Sequence, residues 1–179
     1  MSLAAAPSPS PLRFEQVFRA HAPCVWRFLR RLGVSAADAD DVTQEVFVIV
    51  HRKLHEYDGR ASLRAWIYGI ARRKAADHRE LSHKRHEAAT GELPERPRDS
   101  TPSPESASDR RRKIARLDEA LAGLDEPKRA AFVLYEIEGL SLAEIAAATE
   151  TALSTVHARL DAARKQLRAA LGTDEGRPA

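Results

Sequence analysis

"SLAEIAAATETALSTVHARLDAARKQLRAAL", from Ser141 to Leu171, reads as two helices joined by a tight polar turn. Ser141 and Glu144 have the spacing of a capping box, in which the serine hydroxyl and the glutamate carboxylate satisfy each other's backbone N–H. Leu142, Ile145 and Ala146 then point inward from a short helix. A second helix begins near Ser154, with Val156, Leu160, Ala163 and Leu167 recurring at helical spacing. Short helix, tight turn, longer helix is the helix-turn-helix plan. The residues before it agree. "DEPKRAAFVLYEIEG" offers Asp125 as a cap, Pro127 just inside the start and Gly139 as a stop, and Arg110–Leu121 reads as one more helix.

Toward the N-terminus, "GELPERPRDSTPSPESAS" (Gly91–Ser108) carries four prolines and few apolar residues, so it reads as a solvated linker. The block before it is also helical, since Ala, Leu, Arg and Glu dominate and β-branched alternation is absent. One helix is expected from Arg13 to Leu32, stopped by Gly33, with Phe14, Val17, Phe18, Val25, Phe28, Leu29 and Leu32 as its apolar set. Ser35 caps a second, carrying Val42, Val46, Ile49, Val50 and Leu54. After "YDG", Ser62 caps a third with Leu63, Trp66, Ile67, Ile70 and Ala71 inward. The expected fold is all-α, two small helical domains on a flexible linker. The boundaries are a disordered leader (1–11), a first domain (12–88), an acidic Pro/Ser-rich linker (89–109), a second domain (110–173) and a disordered tail (174–179).

The 179 residues are 31% charged and hold no apolar run near the roughly 18 residues a membrane span needs. The N-terminus lacks the basic and apolar regions of a secretory signal. Cys24 is the one cysteine, which excludes an internal disulfide framework, and a reducing cytoplasm is the expected compartment. Charge is unevenly spread. Lys and Arg outnumber Asp and Glu by 15 to 9 between Arg13 and His86, trail them 2 to 6 between Glu87 and Asp109, and stand 12 to 11 from Arg110 onward. A basic first block suggests a polyanionic partner. Catalytic and metal readings find little. His51/His55 and His83/His86 are pairs with no third ligand, a poor zinc site. Cys24 beside Trp26 reads as a buried, inert thiol, and no phosphate-cradling Gly loop or clustered acid/base pair is present. Neither a cofactor nor a metal is expected, and the chain is not expected to be an enzyme.

The stretch "YDGRASLRAWIYGIARRKAADH" (Tyr57–His78) mixes aromatic rings with Arg60, Arg64, Arg72, Arg73 and Lys74. Trp66 and Tyr68 lie two apart and cannot share a helix face. Trp66 is expected in the core with Ile67 and Ile70, leaving Tyr68 as the exposed ring on which a base can stack.

"DADDVTQEVFVIVHRKLHEYDGRASLRAWIYGIARRKAADH" resembles region two of bacterial RNA polymerase sigma factors of the extracytoplasmic-function (ECF) group. "LDEPKRAAFVLYEIEGLSLAEIAAATETALSTVHARLDAARKQL" resembles their region four. The two matches stand in the family's order, with nothing where larger sigma factors carry region three. The resemblance implies a transcription initiation factor whose partners are core RNA polymerase, promoter DNA and an anti-sigma regulator, with no membrane contact of its own. It implies that Asp41, Gln44, Glu45, Arg52 and Lys53 dock the clamp helices of the polymerase, with region four on the flap. It implies that the loop Tyr57–Arg64 captures a flipped base of the melted minus-ten element, while Tyr68, Arg72, Arg73 and Lys74 follow the non-template strand. Many relatives have Asn where Arg73 stands. For the minus-thirty-five duplex it points to Thr155, His157, Arg159, Asp161, Arg164 and Lys165, although Asp161 would repel phosphate. Glu150 and Ala152 occupy turn positions where Gly and Pro are frequent. Two rivals remain: a stand-alone helix-turn-helix regulator, and a sigma-like adaptor or decoy that does not read DNA.

Overall fold

The computed structural model describes residues 13–90 and 108–172, and these are helical throughout apart from short turns. The leader, most of the linker and the tail lie outside the described residues.

The first half is a three-helix unit. Helix α1 (Phe14–Arg31) ends where Gly33 takes a left-handed φ of 95°, a conformation a Cβ would strain. Helix α2 (Ala36–Lys53) starts at Ser35, whose hydroxyl accepts from the Asp38 N–H at 3.2 Å. A single 3-10 turn (Leu54–Glu56) leads to the loop, and Ser62 opens α3 (Leu63–Thr90), its Oγ accepting from the Ala65 N–H. Val25, Phe28 and Leu29 of α1, Val46 and Phe47 of α2, and Ile67, Tyr68 and Ala71 of α3 close the core. Phe18, expected inward, is 39% exposed: its ring meets Phe47 edge-on at 4.9 Å but stands at the rim of the α1–α2 seam.

The second half comprises α4 (Ser108–Ala122), α5 (Glu126–Phe132), α6 (Leu142–Thr149) and α7 (Leu153–Gly172). Asp125 caps α5 by accepting from the Lys128 N–H at 3.0 Å. The expected single helix from Asp125 to Gly139 instead widens into a π turn over Val133–Ile137, closed by the Glu138 N–H on the Val133 carbonyl at 2.9 Å. Gly139 then stops it at φ 68°.

The capping box on α6 forms in full, and Val156, Leu160, Ala163 and Leu167 of α7 are all buried, as the spacing requires. Ser141→Ala removes the hydroxyl and leaves the Glu144 N–H without its acceptor. It should cost about 1 kcal/mol in a denaturant melt, within the usual 0.5–2 kcal/mol for a cap. In the turn, Glu150 adopts φ 54°, the one left-handed non-glycine among the described residues. This is the position where the resemblance expected Gly, and the backbone there keeps a conformation that Gly suits best.

Both halves contribute to one continuous buried cluster. The backbones approach closely at Gly69, midway along the cationic part of α3, where a Cβ would stand 2.8 Å from the Ala148 carbonyl oxygen of α6.

Candidate nucleic-acid and polymerase interface

The loop before α3 is built around Tyr57. Its O–H donates to the Ala61 carbonyl at 2.5 Å, and its ring lies 5.5 Å from that of Trp66. Gly59 turns the loop at φ 75°. Arg60 is 89% exposed and pairs with Asp58 at 3.1 Å, so it stands at the tip with its cation in solvent.

The ring expected outside lies deeper than the one expected inside. Trp66 is half-buried against Tyr57, whereas Tyr68 is 1% exposed, with its ring 4.8 Å from Phe28. The expectation of an exposed Tyr68 is thus corrected. The reason is tertiary: the side of α3 that faces away from α2 is covered by α1 and by the second half.

Glu138 is the centre of that cover. It is 7% exposed and accepts from the Tyr68 O–H and from Arg64 Nη2 at 3.0 Å, with Arg31 3.9 Å away. The Arg64 guanidinium also lies 5.6 Å from the centre of the Tyr68 ring. Burial first, and then the bond to Glu138, push the Tyr68 phenol well above its ordinary 10.0. Burial alone would lower Arg64, but its bonds with Tyr68 and Glu138 outweigh that and raise it.

A phenol whose folded value is raised contributes stability that is full below pH 10.0 and is lost as pH rises through the folded value. Glu138→Gln removes one of the two causes. In a spectrophotometric titration one of the chain's three tyrosines should then ionise at lower pH than in the wild type. An unchanged curve would mean that Tyr68 does not sense Glu138.

Further along α3, Arg72 Nη1 lies 3.3 Å from a Glu126 carboxylate oxygen, and Arg73 pairs with Glu150. Lys74 turns back to Glu45 of α2 at 2.5 Å. Ser62, just before α3, donates to Glu144 at 2.5 Å. That bond, with those from Ser141, holds the Glu144 carboxyl below its ordinary 4.5. The contact therefore contributes above the carboxylate range and weakens as pH falls through the lowered value.

On α7 the expected contact residues are only partly free. Arg164 donates to Glu136 at 2.6 Å and stacks 5.3 Å from the Tyr135 ring. His157 and Asp161 pair at 3.1 Å. Lys165 is exposed, while Thr155 and Arg159 are half-buried. On α2, Asp41, Gln44, Glu45, Arg52 and Lys53 are all exposed.

Several groupings and contacts beside these sites escaped the sequence reading. Phe14, Phe18, Val48 and His51 line a cleft with Gln44 and Arg52 on the α1–α2 face, and Val48 is 48% exposed. An apolar residue off the inward stripe of α2 was the available signal. The long-range contacts of Ser62, Gly69, Glu126, Glu138, Glu144 and Glu150 had no local signal, because their partners lie far away in sequence. Cys24 is half-buried rather than buried, and Arg27 donates to its Sγ at 3.1 Å. Among the described residues no three His, Cys, Asp or Glu side chains gather as a metal site would require, and no helix is long and apolar enough to cross a membrane.

Comparison with known proteins accounts for both halves. Residues 17–85 match the family model of sigma-70 region 2, and residues 114–167 that of sigma-70 region 4. The chain is 33% identical over 156 residues to the ECF RNA polymerase sigma factor RpoE of Cereibacter sphaeroides, covering 87% of this chain and 84% of that one. It is 35% identical over 156 residues to the ECF RNA polymerase sigma factor SigE of Mycolicibacterium smegmatis, covering 87% of this chain and 60% of the length of that relative. The fold is shared with the sigma factor RpoE of Bartonella quintana, solved in complex with the anti-sigma factor NepR. There the TM-score is 0.76 at 22% identity, over 90% of this chain and 98% of the other. A stand-alone helix-turn-helix regulator would leave the whole first half without a task. With both regions present, in order and at these identities, the chain belongs to the ECF group of RNA polymerase sigma factors, initiation factors that direct core polymerase to promoter DNA.

Proposed function

We propose that the two halves divide the reading of the promoter, residues 12–88 taking the melted minus-ten strand and residues 110–173 the minus-thirty-five duplex. The observation that carries this is the run of cations on α3. Arg64 lies in the first turn of α3, and Arg72 and Arg73 lie side by side about two turns further on, behind a loop that projects Arg60 into solvent. A flipped base would enter the Tyr57–Arg64 loop, where the Trp66 and Tyr57 rings form an edge for it, and the phosphates would follow α3 toward Lys74. Cations hold the backbone, and stacking on a ring contributes about 1–3 kcal/mol per base. The unpaired strand is thereby held against re-annealing.

On α7, His157, Arg159 and Lys165 reach the duplex. Arg164 joins them when it leaves Glu136, and Asp161 accepts from a cytosine amino group. Few cations mean few neutralised phosphates, so affinity for duplex alone is modest. Tethering both surfaces to one polymerase supplies the effective concentration that each lacks.

The α2 face with Asp41, Gln44, Glu45, Arg52 and Lys53 docks the polymerase clamp helices, and the second half reaches the flap. The aromatic cleft at Phe14, Phe18 and Val48 adjoins Gln44 and Arg52 and adds apolar area to that docking face. The acidic linker, including Glu92, Glu95, Asp99 and Glu105, threads the channel that RNA later occupies. Chemistry stays with the polymerase, the chain itself being no enzyme, and it works in the cytoplasm. An anti-sigma protein regulates it, as NepR is found on the Bartonella relative.

Selecting promoters from a random library with the reconstituted holoenzyme tests the whole reading. Two conserved blocks at a fixed spacing are expected. Enrichment of a palindrome without polymerase, or of no sequence at all, would overturn it.

A further inference from the structure

Away from α3, the end of α1 meets α4 and α5 around a cleft of about 280 Å³. Arg27, Arg30, Arg31 and Arg129 share its lining with one carboxylate, Asp118, which leaves an excess of three positive charges. The hydrogen bonds that aim three of these cations go to neutral acceptors. Arg30 Nη1 donates to the Val34 carbonyl at 2.7 Å and Arg27 Nη2 to Cys24 Sγ at 3.1 Å. Arg129 Nη2 donates to the Ala122 and Leu124 carbonyls at 2.8 and 2.9 Å. Such bonds orient a guanidinium without cancelling its charge, and each uses only some of its donors. Arg31 also lies 3.9 Å from Glu138.

Arg129 is 6% exposed, so little water screens it from an anion placed beside it. Gly33 lines the same cleft, and a Cβ there would stand 3.1 Å from Arg129 Nη1. A side chain at this position would therefore cover that nitrogen. Planar guanidinium forks match phosphate oxygens two at a time. One phosphate group carries about −1.5 to −2 at neutral pH. Two joined phosphates therefore fit an excess of three better than one does. The volume lies just under the range of about 300–1,000 Å³ for small-molecule sites and excludes a duplex. The half-buried Trp26 at the wall offers a ring face to a base carried on the diphosphate.

We infer that this cleft binds a small diphosphate anion, free or carried by a nucleoside, held by the four arginines and opposed by Asp118. The inference does not depend on how α3 meets DNA.

Isothermal titration calorimetry of the full chain at neutral pH and about 0.15 M salt tests it, with inorganic pyrophosphate and ADP as separate probes. Saturable binding of at least one is expected. Pyrophosphate binding at least as tightly as ADP assigns the site to the free anion, and tighter binding of ADP assigns it to a nucleotide. Three variants locate the site. Arg27→Gln removes an exposed cation and should weaken binding about tenfold or more, as loss of a charge-assisted hydrogen bond does. Asp118→Asn removes the opposing carboxylate and should tighten binding several-fold. Glu15→Gln changes the net charge by the same amount, but lies in the first turn of α1, about 16 Å along the helix from Trp26, and should leave affinity unchanged. Should Arg27→Gln lose helical circular dichroism, the comparison of Asp118→Asn with Glu15→Gln decides the outcome. The site is overturned if neither probe binds saturably, if a folded Arg27→Gln binds as the wild type does, or if Asp118→Asn and Glu15→Gln behave alike.

Discussion

Replacing Arg72, Arg73 and Lys74 together with alanine is expected to lower promoter opening by up to about 100-fold, read as run-off transcript at limiting factor. Hydrogen bonds to charged groups contribute about 1.5–3 kcal/mol each. Taking about 1 kcal/mol per side chain for flexible contacts to a mobile strand still gives about 3 kcal/mol, or two decades. An opposing effect exists. The same change removes the pairs of Arg72 with Glu126 and Arg73 with Glu150, which loosens the hold of region 4 on α3. At about 0–1 kcal/mol for each of the two pairs, at most about 2 kcal/mol or about 30-fold is returned, which leaves a net loss between several-fold and the full hundredfold. The loss wins. The salt dependence supplies an independent check, because removing three phosphate contacts should flatten the log–log slope by about 2. Transcription at the wild-type level with an unaltered slope would remove α3 from the strand path.

Phe28→Ala should be the most damaging single change to stability, at about 3–5 kcal/mol. Phe28 is fully buried in α1, and its ring packs on that of Tyr68. Its loss leaves a cavity directly beneath the residue that links region 2 to Glu138. For a domain of this size a deficit of about 3 kcal/mol lowers the melting midpoint by more than about 10 °C. A shift below about 3 °C would mean that the α1–α3 seam collapses to fill the space. Tyr68→Phe is the companion measurement. It keeps the ring in place and removes only the hydroxyl, so a small change in melting beside the large one of Phe28→Ala would separate ring packing from the bond to Glu138.

The helices were legible to within a residue or two wherever a cap marked them. Ser35, Ser62, Asp125 and Ser141 each sit where their side-chain oxygen meets an N–H three residues on, and this chemistry is complete within one turn of chain. The inward stripe of α7 was equally clear, because it repeats at the helical period over most of the helix. The π turn at Val133–Ile137 was not: one extra residue in a turn leaves the apolar pattern nearly unchanged while re-aiming Glu138. Phe18 and Cys24 were placed too deep, since apolar character sets a preference for burial and not a depth. Tyr68 was placed too shallow because a spacing of two separates faces without saying which of them is covered.

By itself the sequence determined the all-helical fold, the helix-turn-helix, and the concentration of cations between Arg60 and Lys74, since all of these depend on residues within a few positions of one another. Only the tertiary structure decided what those cations touch. The contacts of Ser62, Arg64, Tyr68, Arg72 and Arg73 reach across 54 to 82 positions of chain. A guanidinium carries no record of which carboxylate will meet it. That is settled by how closely two packed helices approach, and here by a glycine that lets α6 lie against α3.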